Sequence, residues 1–181
     1  SDTLIDWFNL AGLKAKGYRR RADMKWSKML TNLLANATSA ILNWTPAQVY
    51  SNPITWRIEL EQIKEALSVM KAMRVHLTDL PGTPTVALMS LLKTLPAGLS
   101  QRLIGLPLAR GRGAKMPSFH IDLYAGKRIS EVTFLNGAVV RFGEKVNRPS
   151  PVNAKLCDLL EKMAAGEVDK TEFADQPDKL D

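Results

Sequence analysis

The sequence predicts an all-α protein. Its longer segments repeat apolar residues at intervals of three and four, and proline and glycine fall between these segments rather than inside them. No segment shows convincing alternation of apolar and polar residues, although Val139 and Val140 leave a short strand over residues 132–141 open. We therefore expect helices throughout.

Two long helices dominate this prediction. Residues 22–43 contain no proline or glycine and keep their apolar periodicity, which predicts one continuous helix. Residues 54–74 predict a second, with charged residues such as Glu61 and Glu65 on an exposed outer face. Shorter helices are expected over residues 3–11, 46–50, 85–95, 118–125, 131–142 and 151–165, with a further helical turn over residues 99–104.

Capping signals and composition place the ends and connections of these elements. Thr45-Pro46 and Thr83-Pro84 favour helix starts, and Ser118 is a candidate N-cap. Residues 110–115 are predicted as a flexible basic loop. We expect residues 1–166 to form one domain and residues 167–181 to be a polar, loosely held tail.

The chain is basic, with a formal net charge of +7 and an isoelectric point near 9.6. Six cations cluster around Tyr18, namely Lys14, Lys16, Arg19, Arg20, Arg21 and Lys25. Such a cluster suits an acidic partner such as nucleic acid. The alternative, which we consider more common, is a solvated basic face or a charge balance completed by another part of the protein.

Other features narrow the class of protein. No apolar stretch approaches the roughly 20 residues of a membrane span, and no secretory leader opens the sequence, so a cytoplasmic location is expected. Cys157 cannot form an internal disulfide and follows the apolar rhythm of its helix, which favours a core position. His76 and His120 lack further ligands at metal spacing, which argues against a zinc site.

The predicted helix over residues 22–43 carries one unusual polar stripe. Lys28, Asn32 and Asn36 are four residues apart and share one face, which Ser39 and Asn43 extend. A solvated face would favour better helix formers than asparagine. The stripe therefore fits a polar cleft in which an ammonium group and two amides meet a small ligand. Alternatively, the asparagines make structural hydrogen bonds to loop backbones.

Several short motifs, taken in order, resemble the ketopantoate reductase family over about residues 4–165. The motifs are Trp26-x-Lys28, Asn32, Asn36, Pro117-Ser118-x-x-x-Asp122, Glu131, Leu135-Asn136-Gly137 and Pro151-Val-Asn153. The resemblance implies the helical C-terminal domain that this family shares with 6-phosphogluconate dehydrogenases. It also implies an NADPH-dependent reductase of a 2-keto acid, with ketopantoate, of pantothenate biosynthesis, as the reference substrate.

The resemblance also implies residue roles. Lys28 would bond the 2-keto oxygen of the substrate and supply its proton. Glu131 would contact a substrate hydroxyl or the nicotinamide ribose, Ser118 the substrate carboxylate, and Asn32 and Asn36 substrate hydroxyl groups. Without the resemblance, Glu131 would be read as a favourable charge at a helix start and Ser118 as a helix cap only.

The sequence also departs from the family pattern. One extra residue separates Asp122 from Glu131, and Lys115 stands where the family often has asparagine, so a more anionic substrate is conceivable. The only Gly-x-Gly, at residues 111–113, lacks the strand and third glycine of a dinucleotide-binding fingerprint. The chain is therefore expected to be inactive without a separate N-terminal Rossmann domain, and the start at Ser1, without methionine, favours a fragment.

Two further partners remain open at this stage. Loss of a partner domain would expose apolar surface, so the isolated chain is expected to self-associate, for example as a homodimer. The second hypothesis for function is a non-catalytic ligand-binding or dimerisation module that contacts nucleic acid through the basic cluster.

Overall fold

The computed structural model describes residues 2–112, 115–127 and 131–180, and in this part of the chain it contains helices but no β-strand. The all-α prediction is confirmed. The α-helices in the described part are α1 Asp2–Leu10, α2 Arg21–Leu33, α3 Asn36–Leu42, α4 Pro46–Ser51, α5 Pro53–Ala72, α6 Thr85–Thr94, α7 Ala97–Ser100, α8 Leu106–Arg112, α9 Ser118–Tyr124, α10 Asn136–Lys145 and α11 Pro151–Ala165.

Short irregular helices connect several of these elements. A π-helical turn, Gln101–Gly105, joins α7 to α8, so the helical path is much longer than the single turn expected over residues 99–104. The expected basic loop is wrong for residues 110–112, which end α8, while Gly113 and Ala114 lie outside the described residues. The predicted helix over residues 131–142 begins instead as a 3-10 turn, Glu131–Phe134, before α10.

The prediction of one helix over residues 22–43 is wrong. Helix α2 ends at Leu33, and α3 begins at Asn36 after Ala35, whose backbone is left-handed with φ 57°. This conformation costs a non-glycine residue on the order of 1 kcal/mol. Something outside the two helices must therefore stabilise the break.

The carboxylate of Glu59, fully buried in α5, stabilises this break. It accepts hydrogen bonds from the backbone N–H of Ala35 at 2.7 Å and from Thr38 Oγ1 at 2.6 Å. Gln62 Nε2 donates a third hydrogen bond to it at 2.7 Å. Hydrogen bonds to a charged acceptor are the stronger kind, and three of them outweigh the local cost at Ala35.

Glu59 is the first member of a polar row on α5, Glu59, Gln62 and Glu65, which we call the α5 polar stripe; the first two are buried and Glu65 is half-buried. Gln62 Oε1 accepts a hydrogen bond from Asn136 Nδ2 at 3.1 Å, and Asn153 Nδ2 donates to the backbone oxygen of Gln62 at 3.0 Å. The stripe thereby ties the starts of α10 and α11 to the middle of α5.

Glu65 completes the α5 polar stripe by capping α11. Its carboxylate accepts hydrogen bonds from the backbone N–H groups of Val152 at 2.9 Å and Asn153 at 3.0 Å, and from Asn153 Nδ2 at 2.7 Å. A carboxylate at this helix end also meets the positive end of the helix dipole. The expectation that Glu65 belongs to an exposed outer face is therefore wrong, whereas Glu61 is exposed and pairs with Lys64 at 2.7 Å.

Apolar packing surrounds the stripe in two clusters. One lies between α2, α5 and α6, and the other between α3, α9 and α11. Cys157 belongs to the second cluster, which confirms its predicted core position. Burial, and then the charge of Glu161, raise the pKa of the Cys157 thiol to about 11.

The segment after α11 is packed, contrary to the expected loose tail. Trp44 Nε1 donates to Asp175 Oδ1 at 2.6 Å, and the backbone N–H of Asp175 donates to the oxygen of Leu42 at 3.0 Å. Leu180 is buried, and Lys155 Nζ donates to its backbone oxygen at 2.9 Å.

In the described part of the chain, no helix has the length and apolar character needed to cross a membrane.

We predict that Glu59→Ala lowers the free energy of unfolding by roughly 3 to 5 kcal/mol, because it leaves three buried donors without their acceptor. Glu61→Ala, on the exposed side of the same helix, is the matched control and is expected to change it by less than about 0.5 kcal/mol. Urea denaturation of both variants measures the difference. Equal effects of the two substitutions would show that the Glu59 carboxylate does not stabilise the break between α2 and α3.

Candidate functional site

A cleft runs from α2 to the start of α9 as two adjoining cavities. The larger, about 470 Å³, lies between α2 and the start of α10, and the smaller, about 280 Å³, lies at the ends of α2, α3 and α9. Asn32 and Leu135 line both, so the two cavities form one cleft. The five site residues predicted from the sequence all line it, namely Lys28, Asn32, Asn36, Ser118 and Glu131.

Lys28 and Asn32 occupy successive turns of α2 and are exposed to the cleft. Their helix is held from behind, because Met29, Leu30 and Leu33 are buried. No carboxylate among the described residues lies within 4.0 Å of the Lys28 ammonium group. This cation is therefore available to an anionic ligand.

The cavity that Lys28 lines also has aromatic side chains in its walls. Trp26 and Phe142 meet edge to face with ring centroids 5.6 Å apart, and Phe134, 69% exposed, stands at the same cavity. The sequence analysis did not select these residues. Apolar walls strengthen electrostatic interactions at Lys28 because they displace water.

Asn36 connects α3 to α9. Its Oδ1 accepts a hydrogen bond from the backbone N–H of Phe119 at 3.1 Å, and its Nδ2 donates to Ser118 Oγ at 3.4 Å. Asn36 is only 7% exposed and makes a structural hydrogen bond, as the alternative interpretation of the stripe proposed, but to the first turn of α9 rather than to a loop. The break at Ala35 also means that Asn36 shares a cleft with Lys28 but not a helix.

The sequence predicted Ser118 as the N-cap of α9, but Ser118 is the first residue of that helix. Pro117 occupies the N-cap position, and the Ser118 side chain makes no capping hydrogen bond. The side chain of Asn36 accepts the hydrogen bond from the buried N–H of Phe119 instead. The Ser118 hydroxyl can therefore point into the cleft with one contact, to Asn36.

Glu131 begins the 3-10 turn and lines the smaller cavity, together with Asn32 and Asn36. Arg141 Nη1 donates to the backbone oxygen of Thr133 at 2.8 Å, which ties this turn to α10. Gly137 lets α10 approach α11 closely, since a Cβ there would lie 3.2 Å from Cys157 Sγ. Ser130, which belongs to the same motif, lies outside the described residues.

The asparagines of the two later motifs are structural. Asn136 and Asn153 are fully buried, and their side chains bond to each other at 3.1 Å and to the α5 polar stripe. The sequence signal for the stripe was present but overlooked: Glu59, Gln62 and Glu65 recur every three residues along α5 and so share one face of the helix.

Part of the basic cluster around Tyr18 also has a structural role. Lys16 Nζ and Tyr18 OH donate to the backbone oxygen of Asp79 at 3.1 and 3.0 Å, and Arg20 Nη1 donates to that of Arg74 at 3.0 Å. These contacts fasten the segment before α2 to the segment after α5.

Neither histidine belongs to a metal cluster. In the described residues, no group of three or more His, Cys, Asp or Glu side chains could hold a metal ion. His120 Nε2 lies 2.8 Å from Asn43 Oδ1, and its ring stacks on Tyr124 at 4.3 Å. Partial burial lowers the pKa of His120.

Comparison with known proteins gives a consistent result. The family model for the C-terminal domain of ketopantoate reductase PanE/ApbA matches residues 22–164. The 2-dehydropantoate 2-reductase of Pyrobaculum aerophilum is 27% identical over 136 residues, which are 75% of this chain and 41% of that protein. The chain spans less than half the length of the curated relatives it matches.

Solved structures share the fold. A ketopantoate reductase family protein from Ralstonia eutropha JMP134 superimposes with a TM-score of 0.71 and 23% identity, covering 92% of this chain and 49% of that one. D-mandelate dehydrogenase in complex with NADH gives a TM-score of 0.68 and 21% identity, covering 91% of this chain and 50% of that one.

Proposed function

The chain belongs to the ketopantoate reductase family as its helical C-terminal domain, and we propose that it supplies the substrate side of the active site of an NADPH-dependent 2-keto-acid reductase. The observation that carries the proposal is the single cleft lined by Lys28, Asn32, Asn36, Ser118 and Glu131. We take 2-dehydropantoate as the reference substrate because the similar proteins are 2-dehydropantoate 2-reductases.

Lys28 is the proposed proton donor. Its ammonium group would donate a hydrogen bond to the 2-keto oxygen of the substrate and give that oxygen a proton as the alkoxide develops. The positive charge would stabilise the developing alkoxide, and the apolar wall of Trp26 and Phe142 would strengthen this effect. Bound NADPH would supply the hydride.

The other polar residues would orient the substrate. Asn32, exposed to both cavities, would bond a substrate hydroxyl. Ser118 Oγ would bond the substrate carboxylate. Asn36 would contribute a second amide, and it already holds Ser118 and the start of α9 in position. Fixing the keto group against Lys28 in this way reduces the entropic part of the barrier.

Glu131 would face the reacting centre from the 3-10 turn. Its exposed carboxylate lines the smaller cavity and would accept hydrogen bonds from a substrate hydroxyl or from the nicotinamide ribose, and its charge would balance that of Lys28. Of the residues predicted from the sequence, it is the one proposed to contact the cofactor.

A nucleotide-binding domain is the proposed partner. The described residues contain no β-strand and therefore no strand–turn–helix unit for a dinucleotide, so the rest of the cofactor site must come from outside them. Helix α1 offers a docking face, because large apolar side chains on it and just after it are exposed. They are Leu4, Trp7, Phe8, Leu10 and Leu13.

We predict that Lys28→Ala, introduced into the protein joined to its nucleotide-binding domain, lowers kcat for 2-dehydropantoate by about 100- to 10,000-fold, the range typical of a lost general acid. Circular dichroism should stay unchanged because Lys28 is exposed. Lys71→Ala, an exposed lysine in α5, is the control and should keep full turnover. Equal turnover in both variants would rule out the role of Lys28.

The exposed face of α1 predicts concentration-dependent self-association of the 181-residue chain. The double variant Trp7→Ser and Leu10→Ser, which removes side chains 63% and 85% exposed, should shift light scattering toward monomer. Leu91→Ser on α6 removes an apolar side chain that is 46% exposed outside α1 and should leave the association unchanged. A parent chain that is monomeric at high concentration would contradict self-association through α1.

A further inference from the structure

The cleft continues beyond Ser118 into a third cavity. This cavity, about 560 Å³, shares Pro117 and Ser118 with the cavity that Glu131 lines, so the two adjoin at the start of α9. We call it the extension. It is larger than the neighbouring cavity of about 280 Å³, which is itself at the lower limit for a ligand pocket.

The lining of the extension combines apolar surface with one cation. Pro46, Met116 and Ile121 form its apolar walls, and the exposed Lys115 is its charged residue. No carboxylate lines the extension among the described residues. Asp122, the nearest acidic residue in α9, already pairs with Lys127 at 2.6 Å.

The direction of the cleft limits what the extension can hold. The proposed reaction needs the keto carbon at Lys28, in the cavity of about 470 Å³, where the hydride must also arrive. Both substituents of the keto carbon point away from an oxygen held at Lys28, and a chain that leaves past Asn32 and Ser118 enters the small cavity. A substrate longer than the small cavity enters the extension and meets its apolar walls first.

Resting on the proposed function, we propose that the substrate is a dianionic 2-keto acid, with an apolar chain in the extension and a second anionic group at Lys115. A lysine beside apolar walls favours an anion more than a solvated surface lysine does, because the walls exclude part of the water that screens the pair. A neutral chain end would leave this cation without a partner in the bound state.

Two six-carbon acids test the inference by calorimetric titration of the 181-residue chain. 2-Oxoadipate carries a second carboxylate at the position where 2-oxohexanoate carries a methyl group. We expect 2-oxoadipate to bind about tenfold more tightly, and Lys115→Gln to abolish this difference while leaving the affinity for 2-oxohexanoate unchanged. Lys93→Gln, an exposed lysine in α6, is the charge-matched control and should preserve the difference.

The outcomes separate this inference from the proposed function. Equal affinity for the two acids, or an equal effect of Lys115→Gln on both, overturns the second anionic site. The proposed function stands even then, provided that Lys28→Ala abolishes turnover of 2-dehydropantoate by the two-domain protein. Failure of both acids to bind the chain overturns the inference, and the turnover assay then decides the function separately.

Discussion

The buried carboxylate of Glu59 is the constraint on which the site depends. It bonds the backbone at Ala35, a residue 24 positions earlier, and thereby holds α2 and α3 apart at a left-handed turn. A continuous helix would carry Asn36 onward along the axis of α2. The break instead turns α3 toward α9, where Asn36 reaches Ser118 and Phe119.

The same row of side chains positions the opposite wall of the cleft. Gln62 and Glu65 fix the starts of α10 and α11 through Asn136 and Asn153, and α10 follows the turn that carries Glu131. One polar stripe thus supports both walls, while four of the five site residues remain exposed and Asn36 is buried. Rigid support under accessible polar groups is what a preorganised binding site requires.

Periodicity predicted most of the helices because apolar spacing is a local property. It could not predict the break after Leu33, because Ala35 has no local preference for a left-handed backbone and its stabilising partner lies on another helix. The role of Ser118 was misjudged for a similar reason, since the cap of α9 comes from Asn36, 83 residues away from Phe119. The loose tail was predicted from the polar composition of the last residues. Composition could not show that residues 168–180 make hydrogen bonds to α3, α11 and Trp44.

Periodicity grouped Lys28, Asn32 and Asn36, the motif order added Ser118 and Glu131, and all five line one cleft in the structure. The most direct test of that cleft is nitrogen-15 NMR of the chain titrated with 2-oxoisovalerate. The side-chain amide of Asn32 and the backbone N–H of Phe119 should shift together and saturate at the same ligand concentration. Shifts confined to the separate groove of Ile58, Leu156 and Leu180, with Asn32 and Phe119 unmoved, would contradict a substrate cleft between α2 and α9.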